Sequence, residues 1–284
     1  MGVAAMPHRP SLPRRPVLLG AGLAATGFRP VLAQGIESAE APRRTERWRD
    51  LREAIFGSRR AEPAGEALIL TAPARALDAA AVPIAIALSA EAAPAVRAVT
   101  LVIDENPAPV AARFEAGPGG DLRTLSTRVR VDAYTFLHAV AETADGRLLE
   151  TAQFIKAAGG CSAPLGGTLE AARQRLGRMR LVLPEGPPGP GRAVPVQVAV
   201  SHPNTSGMQI DQLTRLSIPA EFLRALRISY RGAEVMRIET DISIAENPTF
   251  GFALQGEPGG ELRVEALDNR DRRFEAAWML VPAG

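Results

Sequence analysis

One alternating pattern occurs twice in this chain and limits what it can fold into. Ala81-Val82-Pro83-Ile84-Ala85-Ile86-Ala87-Leu88-Ser89 is matched by Ala193-Val194-Pro195-Val196-Gln197-Val198-Ala199-Val200-Ser201. In both, apolar residues alternate with small or polar ones, the period of a strand buried on one face. Two further blocks recur in order: Glu105-Asn106-Pro107 with Glu246-Asn247-Pro248, and Pro118-Gly119-Gly120-Asp121-Leu122-Arg123 with Pro258-Gly259-Gly260-Glu261-Leu262-Arg263. Three matches in series predict two copies of one fold. Each Pro-Gly-Gly leads into an apolar-rich segment, where glycine supplies the positive φ of a tight connection. No Gly-Lys-Ser/Thr follows either one, so they read as turns and not as phosphate cradles.

Asp145-Gly146 and Asp268-Asn269 are further turn signals. With about seven candidate strands per copy, the expected class is all-β: two immunoglobulin-like sandwiches. The 284 residues suit two domains, and 5% aromatics with 26 Gly and 24 Pro favour short strands over a helical bundle. A short N-terminal helix is expected from Thr45, with Trp48, Leu51 and Ile55 on one face and Gly57 at its end. Leu169, Ala172 and Leu176 outline a second short helix stopped by Gly177. The proline-rich stretch 184–191 reads as a loop between the first two strands of the second copy. That copy also carries an extra segment, Asn204 to about Leu226, expected to cover one end of its sandwich.

Residues 1–33 read as an export signal. Arg14-Arg15 precede the apolar run Val17 to Ala25, and Val31-Leu32-Ala33 offers a small-residue cleavage site. The paired arginines fit a twin-arginine signal; a basic flank of an ordinary secretory signal is the alternative. The run is too short and glycine-rich for a membrane span. Either signal predicts a periplasmic protein. The same segment explains the basic balance: Arg9, Arg14, Arg15 and Arg29 are its charges, and without them the 33 basic and 31 acidic groups tip to a slight acidic excess. With no basic patch interleaved with aromatics, nucleic-acid binding is not expected.

An exported chain normally pairs its cysteines, yet this one has a single cysteine, Cys161. It lies in Ala157-Ala158-Gly159-Gly160-Cys161-Ser162-Ala163-Pro164, just past a strand predicted over Leu148 to Lys156. Glycines and alanines offer no side chains to anchor the stretch, so an exposed thiol on a flexible arm is expected, reaching up to about 15 Å beyond the strand. At an ordinary pKa of about 8.5 only a few per cent would be thiolate at neutral pH, and Lys156 is the one basic neighbour. An attachment point fits this better than a turnover catalyst. His138 and His202 stand far apart in sequence, no Ser/His/Asp motif is visible, and no catalytic residue, metal site or cofactor is assigned.

The residues resemble a known family. Asn106-Pro107, Pro109-Val110-Ala111 leading to Phe114, Ser126-Thr127-Arg128-Val129-Arg130, Asp145-Gly146 and Gly159-Gly160-Cys161 look like SoxY, the cysteine-bearing subunit of a thiosulfate-oxidation carrier. Ser201-His202-Pro203 with Gly207, Ile218-Pro219-Ala220-Glu221-Phe222, Ile244 with Glu246-Asn247-Pro248, and Asp268-Asn269 resemble its partner SoxZ. The resemblance implies a SoxY-like sandwich with its helix over 45–158, a cysteine arm and linker over 159–178, and a SoxZ-like sandwich over 179–284. It implies that Cys161 holds sulfur intermediates covalently for separate enzymes, with Gly159, Gly160, Ser162 and Pro164 as the arm. The family arm is a Gly-Gly-Cys-Gly-Gly tail at the chain end; here Ser162-Ala163-Pro164 follows and the chain continues. A fused carrier with this arm looks like the SoxYZ-like proteins associated with quinoprotein (PQQ-dependent) dehydrogenases. The implied partners are therefore periplasmic sulfur-oxidising or quinoprotein dehydrogenase-related enzymes. The alternative is a non-catalytic binding or assembly accessory of such a dehydrogenase system.

Overall fold

The computed structural model describes residues 31–281 except Leu213, with side chains from residue 43 onward. The first half of the chain forms α1 (Val31–Phe56), β1 (Ala61–Pro63), β2 (Leu68–Thr71), β3 (Val82–Leu88), β4 (Val96–Ile103), β5 (Val110–Ala116), β6 (Asp121–Val129), β7 (Thr135–Thr143) and β8 (Leu148–Ile155). The second forms α2 (Leu169–Gln174), β9 (Met179–Val182), β10 (Val194–Val200), β11 (Leu223–Tyr230), β12 (Ala233–Thr240), β13 (Thr249–Leu254), β14 (Gly260–Asp268) and β15 (Arg273–Leu280). The N-terminal helix runs through Thr45 from Val31, so Thr45 does not cap it. The expected export signal lies outside the described residues but for Val31–Ala33, where α1 begins. Among the described residues no helix is long and apolar enough to cross a membrane.

The repeated strand pattern became β3 and β10. Val82, Ile84, Ile86 and Leu88 point into the core from one, and Val194, Val196, Val198 and Val200 from the other. The sheet orders extend the equivalence. β8-β7-β4-β5 is matched by β15-β14-β11-β12, and β2-β3-β6 by β9-β10-β13. Only the first of the three sequence matches joins equivalent places. Glu105-Asn106-Pro107 follows β4, whereas Glu246-Asn247-Pro248 follows β12; the two Pro-Gly-Gly turns end β5 and β13. Those blocks recur because similar turns need similar residues.

The two halves are not separate bodies. β5 pairs antiparallel with its own counterpart β12, Phe114 opposite Ile238, and β6 pairs with its counterpart β13, Ser126 opposite Gly251. Both sheets therefore run through the junction, one of nine strands and one of six. Equivalent strands meeting each other is the arrangement of a two-fold interface built within one chain. It also removes two exposed edges from each half. Gly251 permits the approach, since a Cβ there would collide with Ser126 Oγ. One buried apolar cluster fills both halves, and Phe114 meets Phe250 edge to face across the junction with centroids 6.4 Å apart.

Thr168 caps α2, its hydroxyl accepting from the Ala171 N–H, and Gly177 follows with φ of 76°. The stretch 184–191 connects β9 to β10 as expected. The extra segment between β10 and β11 folds over the end of the sandwich where β8 runs out, and the cysteine lies under it.

Candidate functional site

Past β8 the chain does not project into solvent. Gly159 N–H donates to the Asp132 carbonyl (2.8 Å) and Gly160 N–H to the Val131 carbonyl (2.9 Å), so the arm runs back along the end of β6. A Cβ on Gly160 would strike the Ala79 carbonyl oxygen; glycine is needed here for close passage and not for mobility. Cys161 N–H then reaches Asp132 Oδ1 at 3.3 Å.

The extra segment of the second half forms a roof over this turn. Ser206 Oγ donates to the Cys161 carbonyl, and Gln209 Nε2 donates to the Ala163 carbonyl at 3.1 Å. Gln209 Oε1 in turn accepts from Ser206 N–H at 2.9 Å, which fixes the two clasps to each other. Asn204, with φ of 44°, holds the base of the roof: its Nδ2 donates to the Ile244 carbonyl and its Oδ1 accepts from Leu223 N–H, both at 3.0 Å. Below, Arg130 ties the halves together. Its Nη1 donates to the Gly160 carbonyl (3.3 Å) and its Nη2 to the Asn204 carbonyl (3.1 Å). Asn106 braces this frame, donating to the Arg130 carbonyl and Ser243 Oγ while accepting from Asp132 N–H.

Cys161 is therefore 0% exposed, which corrects the expectation of an open thiol on a flexible arm. Of the arm residues, Gly159, Ser162 and Pro164 face solvent while Gly160 and Cys161 are buried. The anchoring comes from backbone groups and from polar side chains distant in sequence, so a lack of local side chains did not leave the arm loose. Burial, followed by the nearby Asp132 carboxylate, pushes the Cys161 thiol up to about 12, with Arg130 pulling the other way. At neutral pH the thiol therefore stays protonated in this closed form. Arg130 is itself buried to 1% exposure, its pKa lowered by that burial, and its Nε has no hydrogen-bond partner among the described residues. In this closed arrangement the thiol is buried and held in its protonated form.

Lys156 sits at the end of β8, where its backbone bridges to Arg75. His138 and His202 lie apart from the cysteine turn. His202 is fully buried, its Nδ1 accepting from Asn204 N–H at 3.1 Å, and burial lowers its pKa. This histidine supports the roof's base. Among the described residues no group of three or more His, Cys, Asp or Glu is placed to hold a metal ion. Sequence reading did not assign Arg130, Asp132, Asn204, Ser206 or Gln209 to the site. The one available signal was the polar run Asn204-Thr205-Ser206 with Gln209 inside a segment that the first copy lacks.

Two sandwich halves with a lone cysteine at their junction define a paired-domain protein with a single thiol site. Residues 52–161 match the family model described as Sulfur oxidation protein SoxY, and residues 185–279 match Sulphur oxidation protein SoxZ. The chain belongs to this family as a fused SoxYZ-like protein, with the SoxY match ending on Cys161 itself. Among solved structures, it is similar to the sulfur carrier protein SoxY from Chlorobium limicola f thiosulfatophilum: 24% identity, 42% of this chain and 99% of that one, TM-score 0.36. A β-glycosidase from Bacteroides vulgatus is also similar, at 8% identity over 75% of this chain and 24% of that one, TM-score 0.23. So is a glycosyl hydrolase family 2 member from Bacteroides cellulosilyticus DSM 14838, at 12% identity over 74% and 28%, TM-score 0.21. No curated protein matches the chain in sequence.

Proposed function

We propose that the chain is a periplasmic sulfur carrier that holds sulfur intermediates covalently on Cys161 and hands them to separate enzymes, without catalysing their turnover. The observation that carries this reading is the position of the one cysteine. It ends the SoxY match and sits under a roof supplied by the SoxZ part. The burial of Cys161 adds a condition: loading requires the clasp of Ser206 and Gln209 to open so that the turn can swing out. In the closed form the raised thiol pKa keeps the sulfur from side reactions. The arginine pair and apolar run in residues 1–33 support export. The test is the intact mass of the protein isolated from its host periplasm. Sulfur-bearing adducts that disappear on reduction and are absent from Cys161→Ser support the carrier; unmodified protein throughout opposes it.

The same burial favours a second reading, an accessory of a quinoprotein (PQQ-dependent) dehydrogenase system in which the cysteine only packs. On that reading Cys161→Ser keeps host function intact.

A further inference from the structure

His138 takes no part in the cysteine site, yet it is built into an unusual setting. It lies on β7, 5% exposed, between two carboxylates from different elements. Nδ1 is 3.0 Å from Glu150 Oε1 on β8, and Nε2 is 3.2 Å from Asp104 Oδ2 on the turn after β4. The Trp48 ring of α1 covers it in a parallel stack, centroids 3.6 Å apart and planes 8° from each other. Arg47 of α1 donates from Nε to the Asp104 carbonyl (3.1 Å), and Arg44 of α1 lies over the Phe154 ring at 4.6 Å. From its own strand Phe136 approaches, tilted at 6.1 Å.

A neutral imidazole has one N–H and one lone pair, so it can donate to only one carboxylate. Both contacts are hydrogen bonds only when the ring carries two protons. With one proton, a lone pair faces a carboxylate in a largely buried site. Asp104 sharpens this, since it is 2% exposed and its Oδ1 has no hydrogen-bond partner among the described residues. The doubly protonated ring also favours the Trp48 stack, because a cation over an indole face is attracted to it.

We propose that His138 is a proton-operated latch for the N-terminal helix: doubly protonated it binds Asp104, Glu150 and Trp48 together and holds the 43–50 portion of α1 on the sheet, and on losing a proton it lets that portion go. The far end of α1 stays docked through Phe56, buried with Val140 and Leu148 and backed by Ile55; Trp48 reaches the edge of the same cluster, so its release exposes that edge and leaves Phe56 in place. The direction in pH follows. Burial alone would lower the His138 pKa, but hydrogen bonds to Asp104 and Glu150 outweigh it and leave it raised above 6.5. The latch is therefore closed below 6.5 and opens as pH climbs through the raised value.

The experiment uses the full chain carrying Trp278→Phe, which leaves Trp48 as its only tryptophan. Trp48 emission, quenched by the stacked imidazolium, is expected to rise with a midpoint above 6.5, together with faster amide exchange over residues 43–50. His138→Gln in the same background removes that transition. Emission that stays flat from about pH 6 to about pH 9, or an identical transition in His138→Gln, overturns the latch. If the glutamine variant fails to fold, the His138 ring resonance supplies the comparison: a midpoint shared with Trp48 emission supports the latch, and a different midpoint overturns it.

Discussion

At Cys161 the balance between a reactive and a protected thiol is set by groups that neighbour it in space and not in sequence. The sequence around it, two glycines before and Ser-Ala-Pro after, names the residue that matters but misstates its surroundings. Asp132 and Arg130 arrive from the end of β6, and Ser206 from the second half; no local pattern announces them. Their effect is measurable as pH dependence. Burial, followed by the Asp132 carboxylate, pushes the folded thiol up to about 12 from an ordinary value of about 8.5–9.0. A raised folded pKa means the unfolded chain gives up this proton first, so the contribution is complete below 9.0 and is lost progressively from there to about 12. The slope from this one group is at most about 1.4 kcal/mol per pH unit. Urea unfolding across that window should show a steeper loss of stability in the wild type than in Cys161→Ser; parallel curves would show that the thiol is not shielded as described.

At the level of elements, alternation in β3 and β10, the short helix α2 ahead of Gly177 and the 184–191 connection were all legible, because each depends on residues adjacent in the chain. The Asn106-Pro107 and Pro-Gly-Gly blocks misled as to equivalence for the same reason: they encode turn geometry, which two non-equivalent turns can share. The roof was visible only as an extra segment. Its clasp consists of Ser206 and Gln209 reaching carbonyl groups of the cysteine turn. Replacing both by alanine removes the two bonds to the cysteine turn, and with them those that Ser206 N–H gives to Gln209 Oε1 and Met208 N–H gives to Ser206 Oγ, while the halves stay joined. A loss of about 1–3 kcal/mol in denaturant unfolding is expected. An unchanged midpoint would mean that the roof is not held by these contacts.

For the molecule as a whole, sequence reading separated two sandwiches where the structure joins equivalent strands into two continuous sheets. That joining was not legible, because edge strands β5 and β12 read as ordinary half-buried strands whether or not they find each other. It matters for function because the scaffold on both sides of Cys161 is one cooperative body. On the proposed carrier reading, the sulfur is exposed by moving the roof and the turn, not by parting the halves. Local openings differ from global unfolding in how little surface they expose, and hence in their weak dependence on denaturant. The deciding measurement is the labelling rate of Cys161 by iodoacetamide, followed by intact mass, at urea concentrations well below the unfolding transition. Slow labelling nearly independent of urea, and faster in the Ser206→Ala, Gln209→Ala variant, is the result predicted for a thiol stored under a movable roof. Labelling that rises with urea as steeply as global unfolding would contradict it, because the sulfur would then be reachable only when the protein comes apart.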